Sequence, residues 1–161
     1  MKNIGFAILL ISILFFGCEK TEDYSEIPSI SFKDFNFDIE IISSGFENQV
    51  GFLSFDFIDG NGDIGFYGNS DSIISEEIPD IFIFEYTKTN GIFYITDTIE
   101  YLLPYFEEGV YRKYIKGEME VKLYFINRDT DTIKYDFQIM DREYHLSNIE
   151  STPELVVPEW N

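Results

Sequence analysis

The sequence predicts an all-β chain folded as an antiparallel β-sandwich, with a small β-barrel as the alternative. Three observations point there. Apolar and polar residues alternate with period two in several segments, the pattern of a strand with one buried face. Phe and Tyr are abundant, at 17 and 11 residues, while helix-forming Ala is scarce. Turn signals recur between the alternating segments, and after Cys18 no stretch of about twelve residues carries a helical period.

The elements follow in order. Cys18 to Ile27 has no apolar periodicity and reads as a linker ending at Pro28. Ile30-Ser31-Phe32 and Phe35 to Ile41 alternate as a strand, and Lys33-Asp34 breaks the phase, which predicts a bulge or bend. Ser43-Ser44-Gly45 reads as a turn, and Leu53 to Phe57 alternates again before a loop rich in glycine and acid, Asp59 to Gly65. Ile81 to Tyr86 is apolar on both faces and follows Pro79-Asp80, as a central strand would. Thr89-Asn90-Gly91 then signals a hairpin into Ile92 to Ile95, because Asn-Gly supplies the positive φ of tight turns. Residues 97–116 read as irregular with one short strand. Met119, Val121, Leu123 and Phe125 alternate with polar neighbours, as do Ile133, Tyr135, Phe137 and Ile139, with a polar turn at Arg128 to Thr132 between them. Leu155-Val156-Val157 closes the chain, for about seven or eight short strands in all.

The N-terminus carries an address. Lys2 precedes an apolar run from Ile4 to Gly17, the layout of a secretory signal and shorter than the ~20 residues that span a bilayer. Phe15-Phe16-Gly17-Cys18 resembles the lipobox of bacterial lipoproteins, in which a small residue precedes a lipidated cysteine. Phe16 stands where that pattern usually has a small residue. Cys18 is the only cysteine, so no intramolecular disulfide can form. The resemblance implies cleavage before Cys18 and attachment of acyl chains such as palmitate to it; each buried CH₂ contributes about 0.8 kcal/mol to anchoring. Glu19-Lys20-Thr21-Glu22-Asp23 resembles the acidic export tag of surface lipoproteins in Bacteroidetes-type bacteria. The expected organisation is a signal peptide over 1–17, an acidic tether over 18–27 and a β-sandwich domain over 28–161.

A net charge of −19 argues against nucleic acid or an anionic membrane surface as partner, since both need basic patches. The aromatic content excludes disorder as the meaning of that acidity.

Two further resemblances bear on fold. Tyr135 to Asp141, then Ser147-Asn148 and a closing strand from Pro153 to Val157, looks like the last hairpin of bacterial immunoglobulin-like domains. Phe55 to Gly65, together with Asp141-Arg142, Ser147-Asn148 and Thr152-Pro153, resembles an uncharacterised group of small Bacteroidetes-type lipoproteins with a DGxGDIG loop. Asn61 stands where that group commonly has a middle Asp, and Glu143 and His145 replace its usual Ala and Asn. The resemblance implies an immunoglobulin-like β-sandwich lipoprotein and no established activity.

The sharpest chemical feature is Asp59-Gly60-Asn61-Gly62-Asp63. Oxygen side chains at alternate positions, separated by glycines, let the backbone curl so that three oxygens converge on a hard cation. The match to an EF-hand loop stops at Asp63, because Ile64 occupies the glycine position and Ser70 the place of the final Glu. Completion would need Asp71, Asp56, a carbonyl or water. The metal-ligand set expected from sequence is therefore Asp59, Asn61, Asp63 and Asp71, with Ca²⁺ as the ion. The competing reading is a tight turn whose acids face water. Tyr135, Asp141 and Arg142 read as structural residues of the last hairpin. His145, the only histidine, reads as a surface residue.

Catalytic patterns fail on inventory. There is no G-x-S-x-G, no cysteine beyond the anchor and no Gly-rich phosphate loop followed by Lys and a helix. Acids are plentiful, but no spacing singles out a glycosidase pair. Tyr101, Tyr105, Tyr111 and Tyr114 suggest a stacking platform for sugars. The sequence thus points to a non-catalytic, lipid-anchored envelope protein at the outer membrane, exposed at the cell surface and acting as a binding or accessory module. A surface glycan-binding or glycan-processing protein is the alternative. Membrane contact is expected through the lipid, and the sequence names no protein or glycan partner.

Overall fold

A computed structural model describes residues 22–41, 45, 47–65, 78–103, 114–125 and 132–159. The expected signal segment, Cys18 and Asp71 lie outside the described residues.

Eight strands form: β1 Ser29–Ile41, β2 Glu47–Asp59, β3 Ile81–Thr89, β4 Ile92–Tyr101, β5 Ile115–Phe125, β6 Thr132–Ile139, β7 Glu150–Ser151 and β8 Leu155–Val156. Among the described residues there is no helix. One sheet has the order β1-β2-β5 and the other β4-β3-β6-β7, with β8 also pairing β6. All pairings are antiparallel. Neither sheet closes on itself, so the chain is a sandwich and not a barrel. β4 forms the outer edge beside β3.

Alternation explains the core. Leu53, Phe55 and Phe57 of β2 and Met119, Val121, Leu123 and Phe125 of β5 face Ile81 and Ile83 of β3 and Ile133, Tyr135, Phe137 and Ile139 of β6, all buried. Phe55 and Phe137 meet across the sheets at 5.1 Å between ring centroids, and Phe35 stacks on Tyr135 at 5.6 Å. Each large apolar side chain withdrawn from water in this way contributes about 1.5–3 kcal/mol.

Local signals act as the sequence expects at two places. The register of β1 against β2 shifts between Phe32 and Asp34, at the phase break. The β3–β4 turn places Asn90 at φ 53° and Gly91 at φ 81°, the paired positive angles of a tight hairpin.

Residues 97–116 require a correction. Asp97 to Tyr101 continue β4 in register with β3, and Ile115 already begins β5. Residues 104–113, between them, lie outside the described residues. β4 is an edge strand whose Tyr94, Ile95, Thr96, Asp97 and Thr98 are all exposed, so it carries no alternation to be read. The expected turns at 43–45 and 128–132 are described only at Gly45, with φ 82°, and at Thr132, which opens β6.

The C-terminal edge is finished by side chains as much as by strand. The Ser147 N–H donates to Ile139 O at 2.9 Å while Ser147 Oγ accepts from Ile139 N at 3.0 Å. Thr152 repeats the arrangement on Tyr135, donating at 2.9 Å and accepting through Oγ1 at 3.0 Å. These hydroxyls satisfy β6 backbone groups that two-residue strands would leave unpaired. Asn148 then ties this edge to the other sheet, accepting from Ile30 N and donating to Ile30 O, both at 2.9 Å.

Candidate metal centre

The sandwich brings the end of β2 and the end of β6 to one point. Asp59 is the last residue of β2, and Asp63 lies in the loop that follows. The Asp63 N–H donates to Asp59 Oδ2 at 2.9 Å, and Gly62 turns the backbone at φ 75°. That curl sets Ile64 fully buried, where it forms an isolated bridge with Asp141 just beyond β6. Arg142 clamps the loop from outside: its N–H and its Nε both donate to Asp63 O, at 3.1 and 2.8 Å, and Nη2 reaches Gly62 O at 3.4 Å.

Asp141 is itself held by a tight turn. The Tyr144 N–H donates to Asp141 O at 3.0 Å, with Tyr144 at φ 66°. His145 donates its N–H to Asp141 Oδ1 at 2.7 Å, and its Nδ1 lies 2.9 Å from Oδ2. The aim of this carboxylate is thus fixed by the residue four positions on, as outer-shell partners fix metal ligands.

One carboxylate oxygen from each of Asp59, Asp63 and Asp141 lies within 4.8 Å of the others. Asp59 and Asp141 are 0% exposed and Asp63 is 7% exposed. Asp59 Oδ1, Asn61 Oδ1 and Asp63 Oδ1 are buried and have no hydrogen-bond partner. A buried polar atom left unpaired costs about 1–3 kcal/mol, so three on one five-residue loop are a steep local expense. Burial, followed by the charges of Asp63 and Asp141, pushes the Asp59 carboxyl up to about 6 despite the hydrogen bond from the Asp63 N–H. Burial and the Asp141 charge also raise Asp63, against the pull of Arg142. A cation at the centre of these oxygens reverses that balance, because it favours every carboxylate in its ionised form. The donor set is all oxygen with three carboxylates, which suits a hard cation and offers nothing to a soft one.

Asp59 and Asp63 each bring a carboxylate oxygen to the cluster, and Asn61 Oδ1 is buried on the same loop. Asp141 joins them where the sequence expects only a hairpin residue. Asp71, the ligand expected from spacing, lies outside the described residues. Asp56 is exposed and pairs between Ser31 and Glu118 on the outer face of the first sheet, away from the loop. Tyr135 is fully buried, with its hydroxyl donating to Glu85 at 2.9 Å.

Two of the four tyrosines between positions 101 and 114 are described. Tyr101 is half-buried against the core and donates to Lys122 O at 2.5 Å. Tyr114 meets Tyr24 edge-on, with centroids 4.7 Å apart and planes inclined at 66°. Tyr105 and Tyr111 lie outside the described residues. Beside Tyr24 runs an open groove of about 600 Å³, walled by Ile30, Phe57, Ile58, Asp56 and Lys116.

Compared with protein-family models, curated proteins and solved structures, the chain finds no match.

Proposed function

We propose that this chain is a non-catalytic, lipid-anchored envelope protein whose immunoglobulin-like sandwich serves as a binding or accessory module stiffened by Ca²⁺. The observation that carries the calcium reading is the convergence of the Asp59, Asp63 and Asp141 carboxylates, with buried, unpartnered oxygens on Asp59, Asn61 and Asp63 of one short loop. Ca²⁺ is favoured over Mg²⁺ because it accepts irregular oxygen cages with six to eight ligands, whereas Mg²⁺ keeps several waters and is seldom caged by protein alone. Main-chain carbonyls and water complete such a shell. Bound there, the ion joins the end of β2 to the end of β6 and so one sheet to the other. It acts as a structural staple.

The anchor reading rests on the sequence: Lys2, the apolar run to Gly17, and a single cysteine followed by an acidic tether. It places the module at the outer membrane, at the cell surface. Edge-on packing of Tyr24 and Tyr114, and the half-burial of Tyr101, weigh against glycan stacking as the principal role.

Calorimetric titration of Ca²⁺ into the mature chain tests the ion, with Asp59→Ala/Asp63→Ala as control. Saturable heat that the double variant loses is expected, and no heat at millimolar calcium overturns the reading. Radiolabelled palmitate in growing cells tests the anchor: label on the wild type and none on Cys18→Ser is expected. Unlabelled wild type overturns it.

A further inference from the structure

The loop that gathers the acids also holds the tether. The Gly60 N–H donates to Ser25 O at 2.8 Å. A Cβ at Gly60 would fall 2.3 Å from Ser25 O and 2.4 Å from Tyr24 O, so only glycine permits the approach. Around this contact the tether makes a second set of bonds to the start of β5. Tyr24 packs edge-on against Tyr114, and Lys116 sits over both rings at 5.5 and 5.4 Å. Lys116 also reaches Glu22 at 3.3 Å and the Tyr24 hydroxyl at 3.2 Å. The loop meets the same place from the other side, because Gly62 lies against Ile115 N and Tyr114.

We infer that cation binding at Asp59, Asn61, Asp63 and Asp141 docks the acidic tether onto the domain, so that the ion controls how the sandwich is held on its anchor. This rests on the calcium reading above. Gly60 lies between two ligand positions, and its N–H points where Ser25 O needs it only while the loop keeps its curl. Without an ion, three carboxylates crowd one point and repel, which works against the curl of the loop. With an ion, that repulsion falls, the loop closes, and the tether gains its backbone bond. The linkage is reciprocal: a tether that docks only on the loaded loop must strengthen ion binding by the same factor. Tyr24 is also a wall of the 600 Å³ groove, so tether docking fixes the shape of that surface as well.

Hydrogen exchange by mass spectrometry on the full mature chain, with and without Ca²⁺, reads the docking. Calcium is expected to slow exchange of Gly60 and of peptides covering residues 22–28 about tenfold. Digestion with a glutamate-specific protease should slow in parallel at Glu22 and Glu26. Tyr24→Ala, a change at the surface of the tether, should remove the protection and weaken calcium binding several-fold in calorimetry. Gly60→Ala should lift the tether even in calcium. If calorimetry shows binding while exchange over residues 22–28 is unchanged, the docking inference is wrong and the calcium reading stands. If no heat is seen, both fall.

Discussion

Asp141, beyond the end of β6, presents a carboxylate oxygen within 4.8 Å of one on Asp59, at the end of β2. They stand at the ends of strands in different sheets, with Arg142 clamping the loop from its outer side and His145 Nδ1 2.9 Å from the Asp141 carboxylate. Asp141→Asn keeps the shape and removes one charge. It is expected to weaken calcium binding at least about tenfold, or about 1.4 kcal/mol. An unchanged affinity by calorimetry would remove Asp141 from the ligand set.

Arg142 clamps the same loop through main-chain oxygens and offers no ligand atom of its own. Its Nε and N–H both hold Asp63 O, so a shorter fork leaves the loop looser rather than uncharged. Arg142→Lys should weaken calcium binding by less than Asp141→Asn does. A loss as large as that of Asp141→Asn would mean that the guanidinium does more than position Asp63.

The raised carboxyl of Asp59 predicts an unusual pH profile for the calcium-free protein. Its value of about 6 lies above the ordinary 3.8, so the folded state holds this proton more tightly than the unfolded chain does. The stabilisation is complete below about pH 3.8 and is lost as pH rises through 6, a change on the order of 3 kcal/mol. In chelator, thermal midpoints should therefore fall between pH 4 and 7. Asp59→Asn should flatten that fall, and calcium should restore the midpoint at pH 7. A midpoint that rises over this range in chelator, equally in wild type and variant, would contradict the assignment.

Asn148 supplies a different kind of joint. Its carboxamide meets both main-chain groups of Ile30, as a paired strand would, and so fastens the C-terminal edge of one sheet to the first strand of the other. Asn148→Ala strands a donor and an acceptor in a half-buried place and should cost about 1–3 kcal/mol. Urea unfolding measures this directly, and a midpoint within error of the wild type would show that water replaces the carboxamide freely.

Much of this architecture is visible in the residues themselves, for reasons that also explain what is not. β5 and β6 are legible because one face of each is core and the other solvent, so Met119 to Phe125 and Ile133 to Ile139 spell out the period. The β1 bulge is legible because Lys33-Asp34 shifts that period by one. The far half of β4, from Asp97 to Tyr101, escapes because an exposed edge places little demand on its side chains. At the candidate metal centre, the loop can be read from its alternating oxygens. Asp141 cannot, because its contact with the loop depends on which strand ends the fold places together. Asp63 and Arg142 are 79 positions apart, and no local spacing records that they touch.

The edge strand β4 has one more consequence. Among the described residues it pairs with β3 alone, and it exposes Ile92 at 58%, Tyr94 at 54% and Ile95 at 56%. An open, apolar edge is a template for strand-to-strand stacking of like molecules. Here the bulge between Glu85 and Tyr86, the acids Asp97 and Glu100, and a net charge of −19 oppose it. Colloidal stability is thus carried by mutual repulsion rather than by closure of the sheet. Acid or high salt, which neutralise or screen that repulsion, should bring on clumping of the folded protein while its two sheets are still intact.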